Sequence, residues 1–282
     1  ILGAKAIYSF LTPKLKKFQF IDNFSSNYFK KNKKKNLNLI ISKSGNTLET
    51  LSNVSVLIKK KEKNIFISED KKSYLTELAN KLKAEVISHN NYIGGRYSVL
   101  SEVGMLPAQL MGFKPEKFRR LNYLLKNKRF INSLISNVSN ILYLSKKRTN
   151  SVILNYDYKS KELFNWYQQL VAESLGKKGK GIHPIISKMP EDNHSLMQYY
   201  LDGNKNNFFT LFFFKKKISK RINKKMILKS HSFIKNKKLN DILFSQFSAT
   251  EKVFRKKNIP FRSFIINNRS EETLGELFTF FI

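Results

Sequence analysis

Apolar runs of strand length alternate with stretches of helical period along most of this chain. Residues 2–11 read as a helix and residues 37–41 as a buried strand. Leu51, Val54, Leu57 and Ile58 mark the core face of the helix that follows. Residues 64–68 read as a strand, 73–82 as a helix and 84–88 as a strand, before a loop over 90–97 and a helix over 98–111. Such alternation predicts a parallel sheet with helices on both faces. Gly112, Phe113 and Pro115 then interrupt the pattern, and residues 116–146 look helical with no strand among them. A second alternating unit follows, with strands over 151–156, 208–214 and 259–266, helices over 162–175 and 239–256, and a last helix from Glu271. The expected fold class is α/β, divided into 1–112, a connecting helical stretch 113–150, and 151–282.

With 282 residues the chain has room for two domains that each bury a core, and its 41% hydrophobic content argues against disorder. It has no cysteine, so neither a disulfide nor a cysteine–metal framework is available. No apolar run approaches the roughly 20 residues that span a bilayer, and the start shows no secretory pattern. No membrane association is expected, and the reading is cytoplasmic. The net charge of +33, from 53 Lys and Arg against 20 Asp and Glu, raises the possibility of a nucleic-acid partner. Its distribution points elsewhere. The lysines cluster in a loop at 30–35, at a helix end at 59–63, and after a strand at 215–225, many beside asparagine. No interleaved aromatics or zinc knuckle accompany them. They read as solvated surface, and an AT-rich coding bias gives the same composition.

Four runs carry candidate chemistry. In the first, Ile40-Ile41-Ser42-Lys43-Ser44-Gly45-Asn46-Thr47-Leu48-Glu49-Thr50, a short strand stops at hydroxyls, a glycine and an amide, and a helix starts at once. Helix N-termini at the carboxyl edge of a parallel sheet bind phosphate through exposed N–H groups. An ordinary cap by Asn46 or Thr47 explains the same residues equally well. The second run is Asn91-Tyr92-Ile93-Gly94-Gly95-Arg96-Tyr97-Ser98. Its paired glycines allow a tight turn, Arg96 can reach an anion or a developing oxyanion, and Ser98 suits the cap of the next helix. In the third, residues 165–177, Gln169 and Glu173 share a helix face at i and i+4, and Gly176 stops the helix. A carboxylate at that end, where the dipole disfavours its charge, is a candidate proton-transfer base. In the fourth, residues 189–198, His194 follows turn residues and precedes an apolar helical stretch, which suits an imidazole presented at a helix start. The other three histidines, His89, His183 and His231, read as structural.

In order and in content, these four runs resemble the phosphoglucose isomerase family: SKSGNTLET, then GGRYS with VLSEVG behind it, then QQLVAESLGK, then NHS before an apolar helix. The resemblance runs from Leu2 to the last residue. It implies two sugar-isomerase-type α/β/α sandwich domains with parallel sheets. It also implies interconversion of glucose 6-phosphate and fructose 6-phosphate through a cis-enediol intermediate, in glycolysis and gluconeogenesis, with no metal or organic cofactor. By the same resemblance, Ser42, Lys43, Ser44, Gly45, Asn46 and Thr47 match the loop that holds the phosphate. Gln169 matches a substrate-contacting glutamine, Arg96 the arginine that stabilises the enediolate, and Glu173 the base that moves the proton between C1 and C2. His194 matches the ring-opening histidine that family homodimers contribute across the subunit interface. The family's Gly-Gly-Ser phosphate turn and its catalytic lysine motif match nothing in this sequence. The expectation is therefore an internal piece of a longer protein that turns over little by itself. The alternative, a non-catalytic sugar-phosphate-binding regulator of the same domain type, needs the phosphate loop but not Arg96, Glu173 or His194.

Overall fold

A computed structural model describes residues 1–13, 18–24, 36–215 and 219–282 of the chain. The basic loop expected at 30–35, and part of the run after residue 215, lie outside the described residues. Helix α1 (Leu2–Leu11) precedes a first sheet built from β1 (Leu37–Ile41), α2 (Leu48–Leu57), β2 (Lys63–Glu69), α3 (Tyr74–Leu82) and β3 (Glu85–His89). The three strands are parallel in the order β1-β2-β3, with Ile40 beside Phe66 and Phe66 beside Val86. The central strand β2 buries Ile65, Phe66 and Ile67 in succession, the run of apolar residues that a strand covered on both faces requires. Val54 of α2 and Leu75 and Ala79 of α3 close over it.

A 3₁₀ turn (Gly95–Leu100) leads into α4 (Glu102–Leu110). The single helix expected over 98–111 is thus broken at Ser101, whose backbone is extended and whose side chain caps α4 in place of Ser98. The break lets the Val99 carbonyl lie directly against Gly104, where a Cβ would sit 2.0 Å from its oxygen. Helices α5 (Pro115–Phe118), α6 (Leu121–Lys126) and α7 (Lys128–Ser145) fill the expected helical stretch.

The second sheet comprises β4 (Asn150–Asn155), α8 (Lys161–Leu175), β5 (His183–Lys188), α9 (Met197–Asp202), β6 (Asn207–Phe214), α10 (Leu239–Lys256), β7 (Phe261–Ile266) and α11 (Glu271–Phe281). All four strands are parallel, in the order β5-β4-β6-β7. Strand β5 has no counterpart in the sequence reading. It is short, half-buried and at an edge, where Pro184 costs no ladder hydrogen bond and its carbonyl accepts from Gln168 Nε2 at 2.8 Å.

The main core joins the two parts of the chain. Helix α1 packs along α8, and Phe10, Val99, Met105, Phe118, Trp166 and Phe278 are buried in one cluster. Trp166 and Phe278 meet edge to face at 4.8 Å between ring centres. Arg269, just past β7, ties this cluster to the carboxyl edge of the second sheet. Its guanidinium lies over the rings of Phe10 (4.6 Å) and Phe214 (4.2 Å) and donates to the Phe10 carbonyl and to Asp157 Oδ2. Asp157 is only 2% exposed.

Replacing Arg269 by methionine keeps the stacking volume but leaves a buried carboxylate without its counter-charge. Arg269→Met should therefore cost about 3–5 kcal/mol. Restoring neutrality with Asp157→Asn in the same chain should recover part of that loss, measured by urea unfolding of the single and double variants.

Candidate active site

Strand β1 ends at Ile41, and the chain then turns through Ser42–Thr47 into α2 at the carboxyl edge of the first sheet. Gly45 makes the turn possible. Its φ is +67°, and a Cβ there would lie 2.1 Å from Ser73 Oγ. The loop is bound to the start of α3, where the Tyr74 N–H donates to Asn46 Oδ1 (3.0 Å) and the Leu75 N–H to the Gly45 carbonyl (3.1 Å). Ser73 completes a capping box with Thr76, so the first turn of α3 is satisfied. Helix α2 is treated differently. Thr47 occupies its N-cap position, but the Thr47 hydroxyl pairs with Ser42 Oγ at 2.8 Å and makes no capping bond. Neither of the two residues expected to cap α2 does so. The N–H groups of its first turn thus receive no side-chain cap beside two paired hydroxyls, an arrangement suited to an anion.

The Gly94-Gly95 pair is not used for unusual backbone angles, since neither residue has a positive φ. A Cβ on Gly95 would meet nothing within 4 Å. Instead the turn that they begin carries Arg96 across to the end of α8. Arg96 Nη1 donates to Glu173 Oε1 at 2.8 Å, and Arg96 Nε donates to Ser174 Oγ at 2.7 Å. The Ser174 hydroxyl also bonds the Tyr97 phenol at 2.7 Å. Gln169 Nε2, one turn earlier on α8, donates to the other Glu173 oxygen at 3.3 Å. The hydrogen bond with Tyr97, and then the charge of Glu173, hold the Arg96 guanidinium above its ordinary pKa. The Ser174 hydrogen bond, with Arg96 next, lowers that of the Tyr97 phenol. Ser174 and Tyr97 stand inside the runs singled out from the sequence, yet hydroxyls at those positions carry no signal of a network until the fold brings the two segments together. Gly176 ends α8 as expected, because a Cβ there would lie 2.5 Å from the Ala172 carbonyl oxygen. The Glu173 side chain is 52% exposed, so its free oxygen face is open to a ligand.

Lys43 links this group to the loop at β1. Its ammonium donates to the carbonyls of Asn91 (2.8 Å) and Ile93 (3.0 Å) and faces Glu69 Oε1 at 3.3 Å. Hydrogen bonds from Lys71, and then from Lys43, hold the Glu69 carboxyl below its ordinary pKa. His89 is buried, as a structural reading requires, with Nδ1 against Glu102 and Nε2 at 3.0 Å from the Ile93 carbonyl.

The structure does not bring His194 to the other candidates. It closes a 3₁₀ turn (Glu191–Asn193) after β5, and α9 begins three residues later, so it does not open a helix as expected. Asp192 fixes that turn by accepting from Ser187 Oγ, the Lys188 N–H and Ser195 Oγ. His194 is exposed at the carboxyl edge of the second sheet, the edge where α8 begins. Glu173 lies at the opposite end of this 15-residue helix, which spans about 22 Å. Among the described residues no group of three or more histidine or acidic side chains is placed to hold a metal ion. No helix among them is long and apolar enough to cross a membrane.

No family model matches the chain. A glucose-6-phosphate isomerase of Methanocaldococcus jannaschii is 33% identical to it over 98% of the chain and 73% of that protein. A crystal structure of a hypothetical protein from Thermus thermophilus superposes with a TM-score of 0.87 at 20% identity, over 99% of this chain and 73% of the other. A glucose-6-phosphate isomerase from Chlamydia trachomatis superposes with a TM-score of 0.73 at 19% identity, over 99% of this chain and 61% of that one. At such identities the two structural likenesses establish the fold alone.

The two glycines of the site separate by experiment. Gly45→Ala must relieve both a left-handed backbone and a contact with Ser73, and should lose about 1–3 kcal/mol of stability. Gly95→Ala meets open space and should stay within about 0.5 kcal/mol of the parent. Thermal or urea unfolding of the two variants checks the contrast.

Proposed function

The chain belongs to the glucose-6-phosphate isomerase family, and from that premise we propose that Ser42–Thr47, Arg96, Gln169 and Glu173 form an aldose–ketose isomerase site for a sugar phosphate. The observation that carries the reading is the Arg96–Glu173 contact. It places a cation and a carboxylate together on an exposed face, and Lys43 joins their loop to a helix N-terminus that no side chain caps. The substrate phosphate sits on the first turn of α2, beside the Lys43 and Ser44 N–H groups, the Ser44 hydroxyl and the one O–H that the Ser42–Thr47 pair leaves to donate. Binding there, away from the reacting carbons, supplies energy for positioning the rest of the sugar.

Proton transfer between C1 and C2 needs a base within hydrogen-bond reach and a donor where oxyanion charge develops. Glu173 removes the C2 proton of the aldose. The electron pair moves toward C1, the carbonyl oxygen becomes the enediolate oxygen, and Arg96 stabilises it. The C2 hydroxyl gives up its proton as its oxygen becomes the new carbonyl, O1 takes a proton to become a hydroxyl, and Glu173 returns its own proton to C1 to give the ketose. Gln169 holds the second carboxylate oxygen and so orients the base. No redox partner or organic cofactor is required for this balance. The separation of His194 from Glu173 along α8 fits ring opening assisted by a histidine of a second copy, in a cytoplasmic homodimer that serves glycolysis and gluconeogenesis.

Glu173→Gln in the full-length protein keeps the shape and removes the base. It should lower exchange of the substrate C2 proton with solvent by roughly 10²–10⁴, followed by NMR in heavy water, while binding of inorganic phosphate stays unchanged. Isomerisation retained in that variant would show that another group is the base.

A further inference from the structure

We propose that the Lys43 side chain is a positioning residue: with His89, it straps the loop that carries Arg96 to the phosphate-binding loop, and it is not a ligand of the phosphate. The inference deepens the isomerase reading and rests on it for its catalytic consequence, though not for its structural one.

The ammonium of Lys43 has three N–H donors. Two go to the Asn91 and Ile93 carbonyls and the third faces Glu69. A phosphate could take one of these donors only by releasing the loop or the counter-charge. The Ile93 carbonyl receives a second donor. It can only accept, so His89 Nε2 carries the proton that it shares with that oxygen. Each of the two donors has an acid behind it, Glu69 for Lys43 and Glu102 for His89. His89 ends β3 and Lys43 follows β1, so the carbonyl is held from both outer strands of the first sheet.

Arg96 stands three residues beyond Ile93, through a turn closed by the Tyr97 N–H on the Gly94 carbonyl. A loop of glycines has little stiffness of its own. The two clamps on Ile93 supply it, and they do so from the loop that takes the phosphate. The loop that takes the phosphate and the loop that carries Arg96 are thereby held as one unit.

The test uses the full-length protein with Lys43→Met, Lys43→Arg, His89→Gln, and Lys43→Met combined with His89→Gln. Three quantities are read: hydrogen exchange of the amides at 93–97, affinity for inorganic phosphate, and kcat. In Lys43→Met the amides should exchange at least about tenfold faster, because a local opening is made easier. Its kcat should fall by roughly 10²-fold, the usual consequence of a small misplacement of a catalytic group. Phosphate affinity should stay within about threefold. Lys43→Arg keeps charge and donors and should return exchange toward the parent, separating loss of the strap from general destabilisation. Adding His89→Gln should cost less than the product of the separate losses, because both residues act on one carbonyl. Unchanged exchange in Lys43→Met, or loss of phosphate affinity by tenfold or more, would overturn the proposal, the latter making Lys43 an anion ligand. A parent protein that fails to isomerise sugar phosphates would refute the isomerase reading, while the exchange and phosphate measurements would still decide the strap.

Discussion

The meeting of Arg96 with Glu173 depends on the packing of α1 against α8. Gly3 of α1 lies so close to the 3₁₀ turn that a Cβ would meet Val99 Cγ2 at 2.6 Å. Phe10 reaches the far end of the same cluster, under Arg269. Helix α8 contributes Trp166 and Leu170 to that cluster and presents Gln169, Glu173 and Ser174 at its end. The alignment of Arg96 with Glu173 follows from this packing and does not produce it. Burying an aromatic or large aliphatic side chain is worth about 1.5–3 kcal/mol. An ion pair with one side chain half exposed contributes about 0–1 kcal/mol. The fold therefore holds the pair in register at little cost to itself, and a ligand that separates Arg96 from Glu173 gives up little stability in doing so.

Much of this was legible in the residues. The strand–hydroxyl–glycine–helix order at Ile40–Thr50 placed the loop at a sheet edge, and the helical spacing of Gln169 and Glu173 placed both on one face. These are short-range patterns, and short-range physics sets them. What escaped was set at long range. Strand β5 is an edge strand that opens with His183-Pro184 and has too few apolar residues to announce itself; it exists because β4 offers it a ladder. The helix expected over 98–111 breaks at Ser101, where the Val99 carbonyl lies against Gly104, a contact with no signature in either residue alone. Asn46 and Thr47 looked like caps for the helix that they precede, yet the fold gives their side chains to Tyr74 and Ser42.

That last reassignment decides where an anion is held. Two helices, α2 and α3, start at the same edge of the first sheet, and both present N–H groups with a positive dipole behind them. The dipole alone makes α3 as good a candidate as α2. Its first turn, however, is filled by Asn46, by the Gly45 carbonyl and by its own Ser73, so nothing is left for a ligand. The loop that spends Asn46 and the Gly45 carbonyl on α3 is the one that leads into α2, and its Thr47, at the N-cap position of α2, gives its hydroxyl to Ser42, so α2 is left without a side-chain cap. Gly45 is the residue on which this exchange turns, since only a backbone free of a Cβ can lie against Ser73 and pass through φ +67°. One helix start is thereby closed and its neighbour opened by a single loop, and the open one is joined through Lys43 to the loop that carries Arg96.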